Sequence, residues 1–255
     1  MRKLLFGLVL VVALLLLVTG VTLAETSALD WTLFKIYNSP SWVWGANGAI
    51  ITPTAEVGKN GVYFNGYIVQ TGIYNNELAA FSTNTLALST GNLEVGLSKQ
   101  YLLLNFQRLD VDSTILHVKF QPFVTKFFNV SIGDVMVQIA PDPTTGNFEE
   151  KFFNDVFAVV GAHLGPLSAN VGGELGMIGE ETTKPFFFIN GKLTLGGLAL
   201  VAEAIATDRE GNGGIYNAAI VTNNKHINFG VGVLDLQRMK ETNTVQYTGF
   251  ASFRY

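Results

Sequence analysis

The chain has 255 residues, a formal net charge of −4 and no cysteine. Charged residues make up 14% of it, whereas a soluble domain has about a quarter. The lack of cysteine excludes disulfides, thiolate metal sites and cysteine nucleophiles. The net negative charge argues against a nucleic-acid partner, which would need a basic surface.

The first 24 residues have the features of a secretory signal peptide. Arg2 and Lys3 form a positive start, residues 4–18 are almost entirely apolar, and residues 22–24 end in small side chains before Glu25. We predict cleavage after residue 24, with an uncleaved membrane helix as the alternative. The rest of the sequence has no second apolar run long enough for a membrane-spanning helix.

Residues 25–60 differ from the remainder of the mature chain, because they contain all three tryptophans and do not alternate cleanly between apolar and polar residues. Residues 48–61 read GAIITPTAEVGKNG. This Gly-x-x-x-Thr-Pro-Thr-Ala opening with a glycine-bounded turn resembles the start of some outer-membrane barrels, including ones tied to exopolysaccharide production. We interpret residues 25–60 as a periplasmic segment, either a short lead-in to the barrel, which we favour, or a plug.

From residue 62 onward, the chain divides into short alternating runs separated by turn signals. A period of two indicates β-strands with one apolar and one polar face. An even strand count suits a bacterial barrel with both chain ends in the periplasm. We therefore predict an all-β protein, a transmembrane antiparallel up-and-down β-barrel over residues 61–255, with about 12 strands and 10 or 14 as alternatives. The predicted strands are 62–73, 78–88, 92–106, 114–123, 127–140, 152–164, 167–178, 186–195, 197–207, 214–222, 226–236 and 244–255.

The predicted connections alternate in length. One set reads YNNE, LDVDS, PDPTTGNFEE, EETTK, DREGNGG and RMKETN, and the other reads STGN, VTK, GP, a Gly-Gly corner and TNNK. Long extracellular loops and short periplasmic turns would produce this alternation between long and short connections. Aromatic residues also lie near the predicted strand ends, where interfacial girdles belong. The outer set is Tyr74, Phe152, Phe153, Phe186, Phe187 and Tyr216, and the inner set is Phe123, Phe127, Phe128, Phe253 and Tyr255.

The last predicted strand, residues 244–255, alternates throughout and ends on Tyr255. It resembles the C-terminal strand of bacterial outer-membrane β-barrels, where alternating apolar residues finish on a terminal aromatic. The resemblance implies the outer membrane of a diderm bacterium after export through the inner membrane. It also implies contact with outer-membrane lipid and recognition of the last strand by the barrel-assembly machinery. The oligomeric state stays open.

Alternation sorts the strand residues into a lipid-facing set and a lumen-facing set. The ionisable residues assigned to the lumen are Glu94, His117, Lys119, Asp155, His163, Glu174, Lys192, Glu203 and Arg254. The set includes both acidic and basic residues, which is compatible with either a narrow aqueous path or a core filled by salt bridges. Lys99 and Asp134 would face lipid, so we predict β-bulges near residues 98–99 and 133–134 that reset the face.

These features predict a narrow channel for passive diffusion of small polar solutes, with selectivity set by the lumen charges. A non-conducting structural or exopolysaccharide-associated barrel is the alternative. An outer-membrane lipid hydrolase is less favoured, because the chain has three histidines and no Gly-x-Ser-x-Gly nucleophile motif. We expect no enzyme activity, no cofactor and no metal site.

Overall fold

The computed structural model describes residues 49–50, 52–58, 60–74, 77–104, 107–139, 151–178, 181–182, 185–206, 214–234, 236 and 246–255. The predicted signal peptide, the tryptophans of the 25–60 segment and the predicted loop over 140–150 lie outside the described residues. No helix in the described part of the chain is long and apolar enough to cross a membrane.

The described chain forms one antiparallel sheet that closes into a barrel of 12 long strands. In chain order, the strands are β1 (Gly61–Tyr74), β2 (Glu77–Thr90), β3 (Leu93–Leu104), β4 (Gln107–Val124), β5 (Phe128–Ile139), β6 (Lys151–Leu164), β7 (Leu167–Ile178), the two-residue β8 (Glu181–Thr182), β9 (Phe186–Leu195), β10 (Leu198–Ile205), β11 (Ile215–Thr222), β12 (Ile227–Leu234) and β13 (Gln246–Arg254). The predicted all-β barrel and its strand count are confirmed. The short β8, which pairs with the end of β7, was not predicted.

The last strand pairs with the first, which closes the barrel. Val69 lies opposite Thr248 at one end of this ladder, and Tyr63 lies opposite Arg254 at the other. The ladder is extended by the backbones of Val62 and Tyr255, which exchange hydrogen bonds of 3.1 and 2.9 Å. Closure pairs the two edge strands of the sheet. An unpaired edge would expose backbone polar groups to the lipid, where they have no hydrogen-bond partner.

The strand faces are inverted relative to a soluble protein. On β10, Leu198 and Leu200 point outward and are 49% and 44% exposed, while Glu203 points inward and is 4% exposed. The same alternation runs along β11 and β12, where Val231 is 67% exposed and Asn228 is buried. An apolar outer surface around a polar interior is the arrangement that a lipid environment requires.

The two ends of the barrel differ. At one end, which we call the turn end, lie Gly61, Tyr255 and the connections over residues 91–92, 125–127, 165–166, 196–197 and 223–226. Gly91, Gly165 and Gly196 have φ of 56°, 65° and 61°, which these tight turns require. The opposite end, the loop end, carries the long connections over 140–150 and 235–245. Because bacterial barrels have short periplasmic turns, we expect the turn end to face the periplasm.

The described aromatic residues lie where the girdles were predicted. Phe123, Phe127, Phe128, Phe253 and Tyr255 are exposed near the turn end, and Phe187 and Tyr216 are exposed near the loop end. The side chains of Tyr74, Phe152, Phe153 and Phe186 lie outside the described part.

The predicted loop over residues 107–113 is wrong. β4 begins at Gln107, which pairs with Leu104 at the end of β3. β4 has 18 residues, whereas about 9–11 span a bilayer. The extra length allows the acidic LDVDS sequence to remain in strand conformation beyond the apolar band.

The two predicted β-bulges are also wrong. Ser98 and Lys99 each pair with one residue of β2, and β5 pairs with β6 without a shift through Gly133 and Asp134. Because neither strand has an extra residue there, the alternation of side chains continues unchanged. Lys99 and Asp134 therefore lie on the outward face of their strands. The Lys99 ammonium donates to Thr114 Oγ1 at 3.1 Å, which gives the charge a polar partner. The register shifts occur instead at 70/72, 101/103 and 120/123.

Inward aromatic rings lie across glycines of the neighbouring strand in three places. The pairs are Gly96 with His117, Gly133 with Phe157, and Gly172 with Phe188. A Cβ placed on any of these glycines would lie 2.1–2.4 Å from a ring atom. Glycine is therefore needed at these positions for the rings to lie flat against the wall.

Candidate functional site: the barrel lumen

The structure places all nine ionisable residues of the sequence prediction on the inward face. Glu94, His117, Lys119, Glu174 and Glu203 are 2–5% exposed. Asp155, His163, Lys192 and Arg254 are partly exposed on the same face. Whether they set a solute pathway is a separate, functional prediction.

The lumen also contains part of the chain itself. We call the described residues 49–50, 52–58 and 60 the lumen segment. It leads into β1 at the turn end, and Ile50, Thr52 and Ala55 are 0%, 2% and 0% exposed. The sequence interpretation that we favoured placed this stretch as a short lead-in, but its described part lies inside the barrel. The Thr-Pro-Thr-Ala motif is therefore in contact with the wall.

Glu203 on β10 makes the densest set of contacts with the lumen segment. Its Oε2 accepts hydrogen bonds from the Ile50 N–H at 2.9 Å, the Thr52 N–H at 3.2 Å and the Thr52 hydroxyl at 2.8 Å. Its Oε1 accepts from Asn217 Nδ2 at 2.7 Å. A buried carboxylate is retained when hydrogen bonds replace its hydration. Here three of those bonds come from the segment.

Glu94 on β3 forms a second anchor nearer the turn end. Its Oε2 accepts from the Gly58 N–H at 3.1 Å and from the Ser89 hydroxyl at 3.2 Å. Its Oε1 lies 3.3 Å from His117 Nε2. A Cβ on Gly58 would lie 2.7 Å from Ser89 Oγ and 2.8 Å from the Tyr63 hydroxyl. Only glycine brings the backbone this close to the carboxylate.

Donors on β4 and β5 bind the carbonyl groups of the lumen segment. The Lys119 ammonium donates to the carbonyls of Glu56 at 2.8 Å and Thr54 at 3.3 Å. Gln121 Nε2 donates to the Ala55 carbonyl at 2.6 Å. Ser131 Oγ also donates to the Thr54 carbonyl, at 3.3 Å. Backbone acceptors therefore meet donors on this part of the wall.

Two asparagines complete the contacts on β7 and β9. Asn170 Oδ1 accepts from the Ala55 N–H at 3.0 Å, and its Nδ2 donates to Asn190 Oδ1 at 2.8 Å. Asn190 Nδ2 donates to Thr52 Oγ1 and to the Pro53 carbonyl, each at 2.9 Å. The segment thus crosses the lumen from Glu94 on β3 to Glu203 on β10.

Two further contacts lie at the turn end. His163 Nδ1 lies 3.3 Å from Glu56 Oε1, with both side chains partly exposed. The Arg254 guanidinium is 5.4 Å from the centre of the Tyr63 ring, and its Nη2 donates to the Asn60 carbonyl at 3.3 Å. Arg254 therefore binds the segment where it joins β1.

An apolar layer lies further toward the loop end. On β5 and β9, the described inward residues are polar near the turn end and apolar beyond it. The buried apolar set includes Ile115, Val135, Val137, Phe157, Phe188, Ile205, Ile215 and Leu234, together with Ile50 of the segment. Polar residues also face inward on this side of the barrel, namely Gln100 on β3, Ser113 on β4 and Glu174 on β7, so the apolar layer covers only part of the wall.

The neutral residues that bind the segment were missed as site residues. Gln121, Asn170, Asn190 and Asn217 are all on the inward set of their strands, and alternation in the sequence already places the first three there. They were passed over because only ionisable residues were taken as lumen candidates. In a buried network, an amide is as useful as a charge, since it offers both a donor and an acceptor.

The arrangement of Ser89, Glu94 and His117 does not match a hydrolytic triad. The carboxylate of Glu94 lies between the hydroxyl and the imidazole. In a triad, the imidazole lies between the hydroxyl and the carboxylate, so that it can accept the hydroxyl proton. No group of three or more His, Asp or Glu residues in the described ranges is placed to hold a metal ion.

Comparison with known proteins bears on the fold. No protein-family model matches the sequence, and no curated protein matches it. A solved structure of the KdgM porin in complex with disordered oligogalacturonate superposes with a TM-score of 0.54 at 11% identity, covering 76% of this chain and 99% of that one. The chain has the fold of a bacterial outer-membrane β-barrel.

Two other solved barrels superpose less well. The outer membrane protein Omp33 of Acinetobacter baumannii has a TM-score of 0.43 at 10% identity, covering 77% of this chain and 98% of that one. The outer membrane phospholipase A of Escherichia coli has a TM-score of 0.44 at 13% sequence identity, and the match covers 76% of this chain and 92% of that one. Together with the inverted faces, the fold is that of a protein of the bacterial outer membrane.

Proposed function

We propose that the protein is a narrow channel for passive diffusion of small polar solutes across the outer membrane. The observation that carries the proposal is the polar inward wall, which includes buried ionisable residues at several heights. Glu94 and Glu203 hold the lumen segment, but a barrel that served only as a membrane-embedded scaffold would have no need to bury Glu174 as well, since each buried charge has a cost in free energy. Such residues in a membrane protein commonly line a pathway for ions or solutes.

A second observation is a group of buried polar side chains on the strands next to the seam of the barrel. Asn65, Thr83 and Thr248 face inward on β1, β2 and β13, and they are 0–3% exposed. Their side-chain oxygens, and the Asn65 amide nitrogen, make no hydrogen bond within the described part of the protein. Solvent or solute is the partner left to such atoms. The same strands also contact the lumen segment, for example through Arg254 on β13.

The balance of charge indicates a small preference for cations or neutral solutes. The inward carboxylates are Glu94, Asp155, Glu174 and Glu203, and the inward bases are Lys119, Lys192 and Arg254. The KdgM porin, which shares the fold, was solved with an oligogalacturonate. A polyanion of that kind is poorly suited to this wall, because the carboxylates would repel it.

The test is ion selectivity across a planar bilayer, with the refolded full-length chain. We expect conductance with weak cation selectivity, and Glu174→Gln should shift the reversal potential toward anions. Lack of conductance by the wild type, even after the lumen segment is loosened, would contradict the proposal.

A non-conducting barrel is the second candidate, and the apolar layer favours it. Ile115, Ile215 and Leu234 are fully buried, and an apolar constriction can stop ions by excluding water. In that case the loops would make the functional contacts, for example with an exopolysaccharide-export assembly. A catalytic role has less support, because the Ser89 hydroxyl donates to the Glu94 carboxylate and not to an imidazole. We also propose that the barrel-assembly machinery recognises β13, because an aromatic residue, Tyr255, directly follows this alternating strand.

A further inference from the structure

Two charged side chains point away from the barrel, toward the lipid. They are Lys99 on β3 and Asp134 on β5, and among the described side chains on the outward faces of the long strands they are the only charged ones. In the described part of the chain, Asp134 forms no salt bridge, and its Oδ1 atom makes no hydrogen bond. A charge on the lipid face of a barrel has a cost in free energy. A partner of opposite charge at the same place would offset that cost.

The two charges lie at a similar depth in the membrane. Each is six residues from the turn-end residue of its strand, which is Leu93 for Lys99 and Phe128 for Asp134. A strand that rises about 3.4 Å per residue and tilts by about 40° gains about 2.6 Å of depth per residue. Both charges therefore lie about 16 Å from the turn end, inside an apolar band about 25 Å tall.

β4 lies between the two charges, with Leu116 at the midpoint. Lys99 is opposite Thr114 and Asp134 is opposite Val118, so Leu116 is halfway between them along β4. Two strand spacings of about 4.8 Å and four residues of about 3.4 Å place the charges about 17 Å apart. At that distance they cannot pair with each other within one copy of the chain.

We propose that this face is the contact between two copies of the chain, related by a two-fold axis that passes near Leu116. Both copies insert in the same orientation, so the axis is parallel to the membrane normal and keeps every residue at its depth. Lys99 then meets Asp134 of the second copy, and Asp134 meets Lys99 of the second copy. At the axis, Leu116 meets Leu116 of the second copy, beside the apolar outward side chains of Leu97 and Met136, its neighbours across the ladder.

The opposite signs of the two charges favour a second copy over an anionic lipid headgroup. A headgroup phosphate would suit Lys99, but Asp134 at the same depth would repel it. A two-fold contact places an opposite charge against both residues with a single surface. This inference concerns assembly and does not depend on whether the barrel conducts.

The first test is cross-linking in outer membranes. The native chain has no cysteine, so Leu116→Cys places one thiol of each copy at the proposed axis. Packed sheets lie about 10 Å apart, so a thiol-specific cross-linker of about that span is needed. We expect a covalent dimer. Leu200→Cys is the matched control, because Leu200 is also outward and 44% exposed but lies on β10, on the other side of the barrel. It should remain monomeric.

Charge reversal tests the pairing itself. Lys99→Asp makes both positions acidic, and Asp134→Lys makes both basic. Each change, combined with Leu116→Cys, should lower the cross-linked fraction at least about tenfold, because like charges would face each other across the contact. The double variant Lys99→Asp/Asp134→Lys exchanges the two charges and should restore cross-linking to the level of Leu116→Cys alone.

Three results would overturn the proposal. The first is the absence of a cross-link through Leu116→Cys, or equal cross-linking through Leu200→Cys. The second is a folded double variant that does not regain cross-linking. The third is a loss of cross-linking in Lys99→Asp with a gain in Asp134→Lys, which would indicate an anionic lipid at this face. If the reversal variants fail to insert, the comparison of Leu116→Cys with Leu200→Cys decides alone.

Discussion

Arginine substitutions along the outward face of β10 should cost more the nearer they lie to the bilayer midplane. A rise of about 3.4 Å per residue and a tilt of about 40° give about 2.6 Å of depth per residue. Leu200 then lies about 5 Å, and Ala202 about 10 Å, from the level of Leu198, within an apolar band about 25 Å tall. Leu198→Arg should therefore destabilise folding by about 0–1 kcal/mol and Ala202→Arg by about 2–4 kcal/mol, with Leu200→Arg between them.

The assay is urea titration of the refolded protein in phospholipid vesicles, followed by far-ultraviolet circular dichroism. Ala202→Leu is the matched control, because it enlarges the side chain without adding charge and should change the free energy of unfolding by less than about 1 kcal/mol. Equal costs at the three positions, or the largest cost at Leu198, would refute the assignment of this face to lipid.

Three further outcomes are expected. Gly133→Ala should destabilise the barrel by about 1–3 kcal/mol, because its Cβ would meet the Phe157 ring at 2.3 Å and a backbone carbonyl at 2.6 Å, whereas Gly197→Ala has open space and should be nearly neutral; urea titration measures both. Cell fractionation should recover the mature chain in the outer membrane, and recovery from the soluble periplasm would contradict the fold assignment. A protease added to intact cells should cut at residues 148–150 before 223–225, and the reverse order would show an inverted topology.

The strands could be predicted from the sequence because a barrel wall has a lipid face and a lumen face, so that alternation persists over whole strands. The start of β4 was missed because Asp110 and Asp112 suggested a loop. A strand that extends beyond the membrane is under no requirement to be apolar, and pairing with β3 decides its conformation.

The bulges were mispredicted for a related reason. A charged residue on the outward set was assumed to need a reset of the face, but Lys99 finds the Thr114 hydroxyl beside it instead. The alternation of apolar and polar residues shows which face a residue occupies. It does not show which neighbouring side chain will form a hydrogen bond with a charged residue on that face.

The inward orientation of Glu94, Lys119 and Glu203 followed from alternation, but their shared partner did not. Ile50 of the lumen segment and Glu203 are 153 positions apart along the chain. No periodicity in the segment itself reveals that it enters the barrel. Replacing Glu203 is therefore expected to weaken the hold of the wall on the segment.

The location of residues 49–50 and 52–58 inside the barrel is tested most directly by disulfide trapping. Because the native chain has no cysteine, any bond formed must come from the introduced pair. A Cβ at position 58 would lie 2.7 Å from Ser89 Oγ, within reach of a disulfide. Gly58→Cys/Ser89→Cys should therefore cross-link in intact outer membranes under oxidising conditions. Gly58→Cys/Ser168→Cys, with its second thiol on β7 across the barrel, should not. Equal thiol labelling of both pairs, with no cross-link in either, would contradict the placement of the segment in the lumen.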